Sequence, residues 1–207
     1  MKPFVNHIYA INNVCNDRCE GMVTSIPIGF SDNWADQFTQ RVMIQSYAAL
    51  AASDTRKEHL LYLNFRLNSN KAARHECHLM FHDKEWVTKG QYGTNMSTFY
   101  ETLYKSEYIL SPVGAGPDCH RTYEAIYFDV VPIVLSSPLD TFYASFPIVI
   151  VEKWSDVSED FLQNNRVAHS LRLKEWKVTH PNWTSAASYL HHKQKRPPNF
   201  EVYPPPP

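Results

Sequence analysis

Two charged residues, Arg121 and Glu124, lie three positions apart, directly after a loop rich in glycine and proline. The loop and the segment that follows read SPVGAGPDCHRTYEAIYF. An arginine can pair with phosphate oxygens through two parallel N–H groups, and a carboxylate accepts hydrogen bonds from ribose hydroxyls. Residues three apart share one face of a helix. The pair therefore suggests a site for a phosphorylated nucleoside at the start of a helix.

Gly114 and Gly116 lie within this loop. Glycine permits unusual backbone torsions and lets a ligand approach the chain closely, and a following helix offers free N–H groups and a positive dipole end to phosphate. The loop is not a G-x-G-x-x-G fingerprint, however, and no Walker A lysine follows it. Arg121 and Glu124 could instead form an ordinary helical ion pair, worth a few tenths of a kcal/mol. The residues alone leave both interpretations open.

A second candidate anion site is the segment NFRLNSNKAAR. Arg66, Lys71 and Arg74 bring positive charge to it, and Asn68 and Asn70 bring polar groups. Like the first loop, it joins the end of a predicted strand to the start of a predicted helix. The alternative is a capped helix with solvated basic residues. Two such loops in one sheet strengthen the hypothesis of a nucleoside diphosphate site.

Three histidines, His75, His78 and His82, share one face of the helix predicted after this segment, and Cys77 lies among them. No Cys/His pair elsewhere in the chain completes a zinc ligand set. The sequence also contains no Asp-x-Asp pair. We therefore expect no bound metal and no cofactor.

The elements that must hold these loops alternate between short apolar runs and amphipathic stretches. LLYLNF, EYILSP, VVPIVL and FPIVIV are apolar runs typical of buried parallel strands, and helical periodicity occurs between them. This alternation, over about 100 residues, predicts an α/β fold with a doubly wound parallel sheet. Ligands bind at the carboxyl ends of the strands in such sheets, which is where both loops would lie.

The composition limits the function classes. A chain of 207 residues with 43% hydrophobic residues can bury the core of one domain, and a formal net charge of -1 argues against bulk attraction to nucleic acid or membranes. The four cysteines, Cys15, Cys19, Cys77 and Cys119, are too sparse for a disulfide scaffold. No signal peptide is recognised, and no apolar run approaches the roughly 20 residues of a membrane span. We expect a soluble, cytoplasmic protein.

The segment YKSEYILSPVGAGPDCHRTYEAIYFDVVPIVLSSPLDTFY resembles the nucleotide-sugar-binding half of exostosin-like glycosyltransferases. The shared elements are a strand ending in Ser-Pro, a glycine loop, an Arg-x-x-Glu helix and a Val-Pro-Ile-Val strand. LLYLNFRLNSNKAAR is similar to the family's first strand and Asn-containing loop. SIPIGF is similar to its lead-in to the donor domain, and PIVIVEKWSDVSEDFL to the strand and Trp-led helix that close that domain. The resemblance covers roughly residues 8–162.

The resemblance implies a Rossmann-like fold, similar to the C-terminal donor domain of a GT-B glycosyltransferase. Such enzymes transfer a sugar from a nucleoside diphosphate, usually uridine-linked, to a carbohydrate acceptor, without a metal held by an Asp-x-Asp motif. Arg121 would neutralise the diphosphate leaving group, where charge develops, and Glu124 would hold the ribose. The other donor-binding positions that the resemblance implies are Asn68, Arg74, Ser111, Gly114 and Gly116.

The resemblance also suggests a division of the chain. Residues 1–30 would be the remnant of, or the lead-in from, an acceptor domain, residues 31–168 the nucleotide-sugar-binding domain, and residues 169–207 a helical and Pro-rich appendage. The acceptor pocket and its general base would then be missing, with Asp17 and Glu20 the nearest candidates. A partner chain or a homo-oligomer would have to supply the acceptor side. The alternative is a non-catalytic nucleotide-sugar-binding or interaction module.

Overall fold

The centre of the protein is a five-stranded, fully parallel sheet with the strand order β4-β3-β5-β6-β7. The computed structural model describes residues 7–14, 22–31, 38–53, 55–90 and 95–185. The sheet strands are β3 (His59–Leu63), β4 (Val87–Lys89), β5 (Ser106–Leu110), β6 (Val131–Leu135) and β7 (Val149–Val151). Most residues of these strands are apolar and buried, as expected for a sheet covered on both faces. The predicted α/β fold with a Rossmann-like doubly wound sheet is confirmed.

Helices connect the strands and cover both faces of the sheet. They are α1 (Phe38–Ala51), α2 (Lys71–Phe81), α3 (Met96–Tyr104), α4 (His120–Tyr127), α5 (Asp140–Tyr143) and α6 (Glu159–Thr179). The described residues also form short 3-10 turns at Leu67–Ser69, before α2, and at Trp154–Asp156, before α6. The alternation of strand and helix along the chain is the βαβ pattern that allows parallel strands to be neighbours.

The two faces of the sheet carry two different hydrophobic clusters. Leu61 and Tyr108 point to the face packed against α2 and α6, whereas Tyr62 and Ile109 point to the face packed against α1 and α3. This alternation follows from the period of two along a strand. Helix α4 contributes to both clusters, through Ile126 on one side and residues such as Phe128 at its end on the other. It is therefore held firmly against the sheet.

The connections reverse direction between β3 and β5. From β3 the chain passes through α2 to β4 on one side, and then through α3 to β5 on the other side of β3. Such a reversal opens a crevice at the carboxyl ends of the two strands, where ligands bind in open α/β sheets. Both candidate loops of the sequence follow these two strands.

The preference for serine at helix caps predicts Ser97 as the cap of α3 and Ser155 as the cap of α6, but other residues cap both helices. Ser155 would cap the last helix, but it lies inside the turn Trp154–Asp156, and the side chain of Ser158 accepts the Phe161 N–H instead. Ser97 was expected to cap α3, yet Asn95 does so by accepting the Thr98 N–H. In both cases a competing polar residue lies close in sequence, so the pattern alone does not select the cap.

The amino-terminal strands β1 (Ile8–Ala10) and β2 (Val23–Ser25) form a separate two-stranded parallel sheet. Helix α6 runs across residue 168 as one continuous element, and the division into domains stays a prediction. Cys15, Cys19, Asp17, Glu20 and the Pro-rich tail lie outside the described residues. Among the helices described, none combines the length and apolar character needed to cross a membrane.

Candidate functional site

The site lies where the loops after β3 and β5 meet, and Arg74 of α2 joins the two loops. Its Nε donates to the carbonyl of Val113 at 3.0 Å, and its Nη1 donates to the carbonyl of Arg66 at 2.8 Å. Arg74 is buried, so it is not one of the solvated basic residues that the alternative interpretation required. Two of its three side-chain nitrogens therefore donate to backbone carbonyls, one in each loop, and Arg74 holds the two loops together.

Gly114 and Gly116 are needed because neighbouring side chains occupy the space that a Cβ atom would take at either position. A Cβ atom on Gly114 would lie 2.7 Å from Nη2 of Arg74, and one on Gly116 would lie 2.6 Å from Oδ1 of Asn12. Neither glycine has a left-handed φ angle, so the expectation of unusual torsions is wrong. Close approach is real, but the approaching groups are the protein's own side chains. Asn70 also donates from Nδ2 to the Gly114 carbonyl at 3.1 Å, which ties the loop to the start of α2.

Arg121 extends from the first turn of α4 to the end of β3. Its Nε donates to the carbonyl of Asn64 at 2.9 Å, and its guanidinium carbon lies 5.6 Å from the centre of the Phe65 ring. Its Nη1 is buried and has no hydrogen-bond partner among the described residues. Burial lowers the pKa of Arg121, and the nearby Arg74 lowers it further, whereas Cys119 and Glu124 act in the opposite direction. Nη1 of Arg121 is thus a buried donor without an acceptor among the described residues.

Glu124 lies one turn further along α4 and is also buried. It accepts a hydrogen bond from the Ser31 backbone, and burial raises the pKa of its carboxyl group, against the effects of Arg121 and His120. Within the part of the chain described, no ion pair joins Arg121 to Glu124. The interpretation of the two residues as an ordinary helical ion pair is therefore wrong.

Ser111 and Asn68 occupy different environments. Ser111 is buried, its Oγ lies 2.9 Å from Oγ1 of Thr122, and its N–H donates to Ile133, so it joins the end of β5 to α4. Asn68 is exposed on the turn before α2. It borders an open hollow of about 570 Å³ that is lined by Leu67, Asn68, Lys71, Ala72 and His75. Of the predicted donor-site residues, Arg74 lies against Gly114 and, like Arg121, against the Phe65 ring, whereas Asn68 borders the hollow. Ser111 and Gly116 lie against Thr122 and Asn12.

Asp118 is a residue of the site that the sequence interpretation missed. Its buried carboxylate accepts from the N–H groups of Ile28 and Cys119 and from the hydroxyls of Tyr123 and Tyr143, at 2.8–3.0 Å. Burial raises the pKa of Asp118, and these four hydrogen bonds oppose the shift. An Asp just before a predicted helix is a capping signal, but its hydrogen bond to Ile28, 90 positions away, is not visible in the sequence.

A lead-in segment, residues 28–31, runs along the start of α4 and is held by three side chains. Asp118 binds the Ile28 N–H, His120 Nδ1 lies 2.8 Å from the Gly29 carbonyl, and Glu124 binds the Ser31 backbone. This segment includes the last three residues of the SIPIGF motif. It lies against the helix that carries Arg121 and closes one side of the site.

The histidines of α2 do not assemble a metal site. The rings of His78 and His82 stack with their centroids 4.9 Å apart, and burial lowers the pKa of His78, as do the charges of His82 and His75. The described residues contain no group of three or more His, Cys, Asp or Glu side chains that could hold a metal ion. Cys77 and Cys119 are both free thiols. Metal-independent function stays a prediction.

One comparison with known protein families places this chain. A family model described as the RXYLT1 C-terminal domain matches residues 29–186, which is well over half of the sequence. The match begins within the lead-in segment and runs through every strand of the five-stranded sheet and through α6. No curated protein matches the chain.

Proposed function

We propose that this chain, which belongs to the RXYLT1 C-terminal domain family of exostosin-like glycosyltransferases, binds a nucleoside diphosphate sugar in the crevice between β3 and β5. The sugar would be linked to a uridine diphosphate. The protein would act as the donor-binding half of a GT-B enzyme that transfers the sugar to a carbohydrate acceptor. Donor binding and sugar transfer would need neither a metal ion nor another cofactor.

One observation carries the proposal: the buried, unpartnered Nη1 of Arg121 lies at the switch point of the sheet. A buried donor without an acceptor costs about 1–3 kcal/mol and more when it is charged. An anionic ligand that accepts from Nη1 would remove that cost. The Arg74 guanidinium lies over the same Phe65 ring, at 5.7 Å, and the described residues place no carboxylate in an ion pair with either arginine. The local positive charge therefore favours a diphosphate.

The same arrangement supports a role in catalysis. When a sugar leaves a nucleoside diphosphate, negative charge develops on the phosphate oxygens, and a fixed guanidinium stabilises that charge without reorganising. Arg121 is fixed by the Asn64 carbonyl and the Phe65 ring, so little motion is needed. Arg121 is the residue of this site that would contact the leaving group.

Neither of the two buried carboxylates described at this site, Asp118 and Glu124, is placed to activate an acceptor hydroxyl. Asp118 already accepts four hydrogen bonds, and Glu124 is buried against Ser31. Neither carboxylate faces open solvent near the loop. This favours an arrangement in which this chain binds the donor, and an acceptor-binding side on a partner chain or a second copy supplies the base. Nucleotide-sugar binding without turnover by this chain alone is the second candidate function.

The test is a calorimetric titration with UDP, using arginine variants of α4 and α6. Arg121→Ala removes a charge-assisted contact and should weaken UDP binding about tenfold or more. Arg121→Lys keeps the charge but loses the forked geometry, so we expect an intermediate affinity. Arg166→Ala is the matched control, because Arg166 is exposed on α6 and its loss changes the net charge equally.

The proposal fails if wild-type protein does not bind UDP, or if Arg121→Ala and Arg166→Ala bind UDP equally well. A fold check by circular dichroism accompanies each variant. The substitution removes a side chain with one backbone hydrogen bond, so we expect Arg121→Ala to remain folded.

A further inference from the structure

The orientation of Arg121 depends on a single backbone group at the end of β3. Within the described residues, the guanidinium has one hydrogen bond, from Nε to the carbonyl of Asn64. The rest of the group is held by contact with the Phe65 ring and by burial. Whatever fixes the Asn64 carbonyl therefore fixes the direction in which Nη1 points.

The side chain of Asn64 is anchored to the strand it follows. Its Nδ2 donates to the hydroxyl of Tyr62 at 2.7 Å. Tyr62 is buried, and its hydroxyl also bonds with the side chain of Thr102 on α3. Burial raises the pKa of Tyr62, so the hydroxyl keeps its proton at neutral pH. The amide of Asn64 is thus linked through Tyr62 to a helix on one face of the sheet.

Gly90, at the end of β4, leaves the space that this amide fills. Its N–H donates to the carbonyl of Leu63 at 3.0 Å, directly before Asn64. A Cβ atom on Gly90 would lie 2.1 Å from Nδ2, 2.5 Å from Cγ and 2.8 Å from Cβ of Asn64, closer than real side-chain contacts occur. The φ angle of Gly90 is not left-handed, so space is the reason for glycine here.

We infer that Asn64 and Gly90 are positioning residues for Arg121: Gly90 admits the Asn64 amide, the amide binds Tyr62, and the carbonyl so fixed aims the guanidinium into the crevice. The inference rests on the proposed function in one respect only, namely that the fixed guanidinium binds a diphosphate more tightly. The positioning itself concerns this chain alone and can be measured without a nucleotide. Neither residue belongs to the set that the sequence predicted.

The alternative is that Asn64 and Gly90 only pack the ends of β3 and β4. A packing defect would weaken the binding of any ligand in the crevice, whether or not it carries phosphate. It would also act independently of Arg121. A positioning role instead predicts a loss confined to phosphate recognition and dependent on the presence of Arg121.

The experiment compares Asn64→Ala and Gly90→Ala with Lys89→Ala, an exposed neighbour on β4 that serves as control. Titrations use UDP and uridine. For Asn64→Ala and Gly90→Ala we expect UDP affinity to fall about fivefold to tenfold, near the loss expected for the Arg121 contact itself. Uridine affinity should not change. In an Arg121→Ala background, neither substitution should weaken UDP binding further, and Lys89→Ala should behave as wild type throughout.

A second measurement separates this inference from the proposed function. The ¹⁵N-labelled Nε–H of Arg121, observed by NMR without nucleotide, should exchange slowly in wild type and at least tenfold faster in Asn64→Ala, because the bond to the Asn64 carbonyl is its protection.

Unchanged exchange in Asn64→Ala overturns the positioning role. So does an equal loss of UDP and uridine affinity, or a further loss in the Arg121→Ala background. If wild type binds UDP no tighter than uridine, the proposed function fails, and the exchange rates still decide the positioning. Should Gly90→Ala not fold, Asn64→Ala decides alone, since it creates no clash.

Discussion

Replacement of Asp118 by alanine tests whether the site is built as described. The carboxylate of Asp118 connects the lead-in segment through Ile28, the start of α4 through Cys119 and Tyr123, and α5 through Tyr143. Asp118→Ala removes this shared acceptor from all four donors. The substitution should therefore destabilise the fold and loosen the crevice together.

The magnitude follows from what each donor can find instead. The hydroxyl of Tyr143 also reaches the Pro117 carbonyl at 3.2 Å, so the other three donors are left without an acceptor. Each buried unsatisfied donor costs about 1–3 kcal/mol, so three of them give a loss of roughly 3–9 kcal/mol in the free energy of unfolding. Whole domains are stable by only about 5–15 kcal/mol, so the Asp118→Ala variant should be only marginally stable.

The assay is urea unfolding followed by circular dichroism, with the midpoint and slope measured for each variant. Asp83→Ala is the matched control, because Asp83 is exposed and its ion pair within the described residues is with the neighbouring His82, at 3.1 Å. It should change the stability by less than about 0.5 kcal/mol. Asp118→Asn keeps one acceptor oxygen and should fall between the two. If Asp118→Ala costs no more than Asp83→Ala, the four hydrogen bonds do not hold the site and the reasoning is refuted.

Three further predictions concern pH, metal and turnover. Burial lowers the pKa of Lys57 to about 8, below the roughly 10.4 of an unfolded lysine, although its Nζ donates to three carbonyls. Between these pH values the unfolded chain binds more protons than the folded protein, so the free energy of unfolding rises with pH. In urea titrations, the stability of wild type relative to Lys57→Met should rise by about 2 kcal/mol from pH 7.5 to pH 10. A stability difference that does not change with pH contradicts this. UDP affinity, measured by calorimetry, should survive EDTA, and a loss restored by manganese would show a metal-dependent site. The isolated chain should show weak or no transfer of sugar to an oligosaccharide in a product assay; a strict monomer that turns over at about 1 per second or faster would place the acceptor site within this chain.

Much of the fold was predictable because its signals are local. The apolar runs that became β3, β5 and β6 are short, continuous and flanked by helical periodicity, which is typical of buried parallel strands. The loops after β3 and β5 could be assigned to one edge of the sheet for the same reason. The switch point itself needed the strand order, which the sequence pattern does not give.

The candidate site was only partly predictable, because its contacts are long-range. Arg121 and Glu124 were recognised as a pair, but their burial and the absence of an ion pair between them depend on how α4 packs. The hydrogen bond from Ile28 to Asp118 and the space that Gly90 leaves for Asn64 join residues far apart in sequence. No pattern within a single segment records such contacts.

Hydrogen exchange with and without UDP tests the central claim most directly, because it locates the ligand as well as detecting it. We predict slower exchange of amides in residues 64–67 and 113–122, the two loops that carry the Arg121 contact and the glycines. The amides of α6 should not change. Binding of UDP that leaves both loops unaffected, or that protects only α6 or the amino-terminal strands, would contradict the assignment of the crevice between β3 and β5 as the donor site.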